Sequence, residues 1–174
     1  MDSFSTYQGA LDIFRKVNSV GERENCVFGA IVDFSKSSDV TPSMAGLGAF
    51  GAVGYVVGSV VGAERDERVR RINEFIFVLL DFNENGFGVM PLRGGGMKIN
   101  PEKLTPCYDA FFYFYYQEVH SITVKNYMGI RKSVKSITII LNNGRKLNFT
   151  ANMEEKTLPY QVNGMKTFVE RYQR

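Results

Sequence analysis

A mainly-β α+β domain of about seven strands, held between an N-terminal and a C-terminal helix, is the fold class this sequence predicts. Three observations predict it. Apolar residues recur at helical spacing near both ends of the chain. Between residues 73 and 151 they alternate, or run in short blocks rich in Phe, Tyr, Ile and Val, the residues that strands favour. The pairs Asn85-Gly86 and Asn143-Gly144 punctuate those blocks as hairpin turns do.

The elements follow in order. Tyr7, Ala10, Leu11, Phe14 and Val17 share one face of a 3.6-residue period, with Gln8, Asp12, Arg15 and Lys16 largely opposite. Gly21 is the expected stop. Residues 26–34, "CVFGAIVDF", read as a strand, and 35–43, with Pro42, as turn material. A glycine-rich stretch and the charged "ERDERVRR" follow, so 44–71 is expected to be helical. Strands are then expected at 73–82, 87–92, 132–141 and 145–151, with 93–106 as a loop. Residues 110–127 read as two strands or one long bent one. Leu147 and Phe149 alternate with Lys146, Asn148 and Thr150, which gives that last strand one buried and one wet face. After Pro159, Val162, Met165, Phe168, Val169 and Tyr172 return to helical spacing. The organisation is an N-terminal amphipathic helix in 1–22 and one domain in 23–174, with a glycine-rich helical insertion at 36–72.

Composition bounds the function classes. A chain of 174 residues can bury a core without staples. A net charge of +3 does not by itself point to nucleic acid. The distribution is more telling: His120 to Met153 contains no Asp or Glu but holds Lys125, Arg131, Lys132, Lys135, Arg145 and Lys146. These six are the candidate ligand- or membrane-binding residues, since anionic headgroups attract each such cation by about 1 kcal/mol near the surface. Cys26 and Cys107 stand far apart and make neither a zinc set nor a C-x-x-C redox pair, so reduced thiols and a cytoplasmic location are expected. Residues 1–20 carry Asp2 and Asp12 and no apolar run, which does not suit a secretion signal.

Catalytic constellations are not evident. His120 is the sole histidine, on an alternating strand with Glu118 two residues away, and reads as a surface residue. "RGGGMK" (93–98) lacks the Ser/Thr and the helix of a phosphate-binding loop. Asp81, Glu84 and Asp109 read as turn carboxylates rather than a calcium loop. The aromatic run Phe111 to Tyr116 lacks the interleaved cations of a nucleic-acid platform. No metal, cofactor or nucleic-acid partner is expected, and no enzymatic activity.

Gly54, Gly58 and Gly62 recur every four residues within an uncharged stretch, Ser43 to Ala63. This glycine-zipper pattern packs helices backbone to backbone. Its 21 residues would reach about 30 Å as a helix, the thickness of a bilayer core. Six glycines and two serines dilute its apolarity, however, and one crossing would part strand 26–34 from the strands after 72. A soluble or self-associating packing element is the preferred reading, and a membrane-embedded oligomerising helix with a soluble β head the alternative.

"QEVHSITVKN" (117–126), "KSITIILNNGRKLNFTA" (135–151) and "YQVNGMKTFVERYQ" (160–173) resemble the closing strands and helix of bacterial pleckstrin-homology-like domains. The resemblance implies a bent antiparallel sheet or partial barrel capped by the last helix. It also implies a non-enzymatic module that binds a protein partner or the anionic inner membrane surface. Lipid-binding relatives place a Lys, spacer, Lys/Arg-x-Arg pattern in the loop between the first two strands. Here the insertion replaces that loop, and Lys36, Arg68 and Arg70 are spaced too widely to match it.

Overall fold

The computed structural model describes residues 3–36 and 66–173. Helix α1 spans Tyr7–Lys16, α2 Glu67–Ile72 and α3 Gln161–Tyr172. The strands are β1 (Asn25–Val32), β2 (Phe77–Asn83), β3 (Gly86–Gly94), β4 (Leu104–Pro106), β5 (Phe112–Tyr115), β6 (Val119–Tyr127), β7 (Arg131–Leu141) and β8 (Lys146–Asn152). All pair antiparallel in one sheet ordered β4-β3-β2-β1-β8-β7-β6, with β5 also on β3. The expected class is therefore observed: a mainly-β sheet, not closed, with a C-terminal helix. Residues 110–127 resolve into two strands, and the expected loop 93–106 ends in the short β4.

The N-terminal helix forms where its periodicity places it. The Thr6 hydroxyl accepts the Gly9 amide at its start. It ends earlier than Gly21, at Asn18, whose φ of 53° is left-handed. The Asn18 amide returns to the Arg15 carbonyl and the Ser19 amide to the Phe14 carbonyl, a Schellman stop with asparagine in the glycine position.

β1 is the hub of the sheet. It pairs with β2 over seven residues, Asn25↔Asn83 to Ile31↔Phe77, but with β8 only at Ile31↔Thr150 and Val32↔Phe149. Its alternate residues feed two cores. Cys26, Phe28, Ala30 and Val32 join Val78, Leu80, Phe82, Phe149, Met165 and Phe168 under α3. Val27 joins Phe77, Leu79, Met90, Leu92 and, from α1, Ala10, Leu11, Ile13 and Phe14. A helix on each face explains why β1 and β2 read as near-continuous apolar runs. The first core also takes Phe114 from β5 and Val124 from β6, strands near opposite ends of the sheet, so the sheet curls around it.

The terminal helix lies very close to β1. A Cβ on Gly164 would stand 2.2 Å from the Val27 carbonyl oxygen, so only glycine fits that contact. The Cys26 thiol donates to the Gly164 carbonyl at 3.0 Å.

Both hairpins form, with turns unlike those the dipeptides suggest. Between β2 and β3 the loop is Glu84-Asn85, and neither Asn85 nor Gly86 has positive φ. Gly86 is needed for space: a Cβ there would meet the Phe114 carbonyl oxygen at 2.1 Å. Between β7 and β8 the Gly144 amide bonds the Leu141 carbonyl, and Gly144 alone turns left-handed at φ 82°. That is a type I turn followed by a bulge.

The expected zipper, Gly54, Gly58 and Gly62, lies outside the described residues. The strands either side of it in sequence, β1 and β2, are ladder neighbours in one sheet. No described helix is long and apolar enough to cross a membrane.

Candidate functional site

The acid-free segment becomes the β6-β7-β8 meander, and that geometry divides the six candidate cations. β7 runs from Arg131 to Leu141, with a register shift against β6 between its Arg131 and Lys135 pairings. Arg131 and Lys132 stand at one end of it. Arg145 and Lys146 stand at the other, past the turn into β8. Lys125 lies on β6 near the first end and is exposed. Lys135 departs from the expectation of a surface cation. It shares the inward parity of Ile137, Ile139 and Leu141, is 6% exposed, and donates from Nζ to Asn126 Oδ1 at 2.6 Å. The surface cluster is therefore Lys125, Arg131 and Lys132, with Arg145 and Lys146 as a separate pair.

The turn joining β6 to β7 carries what the charge pattern did not show. Met128 and Ile130, either side of Gly129, are 79% and 84% exposed. Met128 and Gly129 both have positive φ, 52° and 76°, and the Ile130 amide reaches back to the Tyr127 carbonyl at 3.4 Å. A Cβ built on Gly129 meets nothing within 4 Å, so the tip projects into open space. The signal in the sequence was "YMGIRK": two apolar residues around a glycine, between two strands, running into two cations.

The other candidates take structural roles. His120 is exposed on β6, at a register shift between Val119 and Ser121. Glu118 does not face it as a partner: its carboxylate accepts from Arg68 at 3.0 Å and from the Tyr115 amide at 3.0 Å. Arg68 also binds Asp66, which caps α2. Burial works against the Asp66 charge, but hydrogen bonds from Arg68 and Asn143 hold its carboxyl below the usual range. The aromatic run is shared between core and surface: Phe114 is buried with the Arg68 guanidinium 4.5 Å from its ring centre, while Tyr115 is exposed. Residues 93–98 are exposed; the first two close β3 against β4 and the rest lie in the connection that follows. Among the described residues no group of three or more His, Cys, Asp or Glu is placed to hold a metal ion.

Asp81 is the second departure. The sequence suggests a turn carboxylate, yet it sits inside β2, paired with Val27 on β1 and Gly88 on β3, and is 0% exposed. Neither carboxylate oxygen meets hydrogen-bond geometry with any group, the nearby Cys26 backbone amide included. Burial raises its pKa to about 7, opposed by the Cys26 backbone amide and aided by the Glu84 charge. The small cleft lined by Gly29, Ile31, Lys98, Thr150, Asn152 and Gln161 marks the seam where β1 and β8 part. With this geometry in view, no known protein family, curated protein or solved structure matches the chain.

Proposed function

We propose that this chain is a non-enzymatic interaction module of the pleckstrin-homology-like kind, docking on an anionic surface with the β6-β7 end of its sheet. The carrying observation is the exposed cluster of Lys125, Arg131 and Lys132 in a 34-residue segment without a single acidic residue. Two features support the fold reading. Strands β2-β3-β4 and β6-β7-β8 form two antiparallel meanders joined through β1, and the last helix packs on that joining strand. The sole histidine stands exposed, with its nearest acid on the chain occupied by an arginine, which favours binding over catalysis. The docking surface is either an acidic protein or the negatively charged cytoplasmic leaflet of a membrane.

The test uses two anionic probes, vesicles containing phosphatidylserine and poly-glutamate, at low salt. The full chain should bind at least one, and more weakly as salt rises. Arg131→Glu with Lys132→Glu should weaken that binding tenfold or more, because each cation contributes about 1 kcal/mol and each reversal adds repulsion. Binding indifferent to the double reversal, or no binding to either probe, would sink the reading.

A further inference from the structure

We infer that the β6-β7 turn, residues 127–132, is a bilayer-inserting tip: Met128 and Ile130 enter the interface while Lys125, Arg131 and Lys132 lie among anionic headgroups. This rests on the reading above and selects the membrane from its two anionic surfaces. Exposed apolar residues scattered singly need no explanation. Here two large ones occupy one projecting turn, four-fifths exposed, one residue apart. They lie next to the exposed cations at one end of the acid-free meander. An acidic protein surface would satisfy the cations and leave two apolar side chains in water. A bilayer interface takes both, since its outer layer is anionic and the layer beneath it is apolar. Tyr127 at the neck of the turn is half-buried, the position in which an amphipathic ring suits the headgroup level.

The backbone adds a second argument. Met128 holds a left-handed φ of 52°, which asparagine or glycine adopts readily and methionine does not. Turn stability therefore does not account for the methionine. It also supplies a variant that keeps the fold. Met128→Asn suits the turn better than the native residue, and Ile130→Ser removes an apolar group that is 84% exposed.

The full chain is compared with Met128→Asn/Ile130→Ser on phosphatidylserine vesicles and on poly-glutamate. The double variant should melt no lower than the parent. It should bind the vesicles at least tenfold more weakly, with any poly-glutamate binding unchanged. Undiminished vesicle binding by the variant overturns the inserted tip and leaves the electrostatic reading intact. A parent that binds poly-glutamate but no vesicles does the same, whereas a parent that binds neither takes both down. The chain has no tryptophan, so Ile130→Trp supplies a single reporter at the tip. Vesicles should move its emission to the blue, and lipids brominated along the acyl chain should quench it. An emission that stays that of a water-exposed indole on bound vesicles overturns insertion.

Discussion

Gln161 and Asp81 are both buried polar side chains beside β1, and the protein treats them in opposite ways. Gln161, 1% exposed, lies in the seam where β1 and β8 part. Its Oε1 accepts the Gly29 amide at 2.8 Å, and its Nε2 donates to the Gly29 carbonyl at 2.9 Å and the Asn152 carbonyl at 2.8 Å. Asp81 lies in the middle of the β1-β2-β3 ladder and has no partner. The difference follows from what the backbone leaves over. β1 and β8 share only two residue pairs, so their diverging ends hold unpaired amides and carbonyls that a side-chain amide can take. Around Asp81 the ladder is paired on both sides, with Val27 on β1 and Gly88 on β3. Val27 and Gly88 offer no polar side chain, and the rings of Phe14 and Phe111 stand against Gly88. Two residues along the same strand, Asn83 fares better because the ladder ends there. It donates to the Ser19 carbonyl and accepts from Tyr113 and the Asn85 amide.

The strongest way to break the comparison is to remove the satisfied group. Gln161→Leu keeps much of the volume but strands the amide and carbonyl of Gly29 and the Asn152 carbonyl. A buried polar group left unpaired costs about 1–3 kcal/mol, so the loss should reach about 3–5 kcal/mol in urea unfolding. A loss below about 1 kcal/mol would mean that water replaces the side chain in the seam, and the contrast with Asp81 would lose its basis.

Asp81 should show the opposite sign. Its folded pKa is about 7 against an ordinary 3.8, so between those values the folded state keeps a proton that the unfolded chain has lost. Stability contributed by this group is therefore greatest below about pH 4, falls as pH rises towards 7, and stays low above it. At 1.36 kcal/mol per pKa unit the fall is on the order of 4 kcal/mol. Asp81→Asn should leave stability at pH 4 nearly unchanged and raise it by a few kcal/mol at pH 8. The difference between variant and parent isolates Asp81, because Asp66, held below the usual range, contributes stability that is lost as pH falls. A difference that does not vary between pH 4 and 8 would show that Asp81 carries no raised pKa in the folded protein.

The fold was legible where a repeating pattern spans several residues. The spacing of Tyr7 to Val17 marks α1, that of Val162 to Tyr172 marks α3, and the apolar run from Cys26 marks β1. What escaped is set by single contacts between distant segments. Three-residue β4 has no period to read and exists because it pairs with the end of β3. Asp81 looks like a turn residue because its burial depends on α1 covering β2 from some seventy residues away. Lys135 could have been placed, since alternation with Ile137, Ile139 and Leu141 points it inward, but its charge suggested surface. The candidate site was half legible: the charge gap marked the meander, whereas the length of β7 separated its cations, and Met128 and Ile130 carry no charge to draw attention.

The smallest expected effect tests how α3 holds Gln161 at the seam. The sequence suggests close-packing glycines at 54, 58 and 62, and the described residues place one at Gly164, three residues after Gln161 on the same helix. Alanine is the better helix former by about 1 kcal/mol, so in an exposed helix Gly164→Ala would stabilise. Here its Cβ would fall 2.2 Å from the Val27 carbonyl oxygen, a backbone atom fixed in the β1 ladder. The helix must lift, and overpacking of this kind costs about 1–3 kcal/mol, which leaves a net loss of about 0–2 kcal/mol after the helix gain. Cys26 reports the lift directly. Its thiol bonds the Gly164 carbonyl, and burial pushes its pKa up to about 12, so it should react slowly with an aromatic disulfide at pH 8. Cys107, whose thiol burial also raises, is removed by Cys107→Ser so that labelling reads Cys26 alone. In that background Gly164→Ala should speed labelling of Cys26 several-fold while the sheet stays intact. Faster labelling with unchanged stability would separate helix docking from the seam. A higher melting temperature with slow labelling would show that α3 has room at Gly164 and that Gln161 alone positions it.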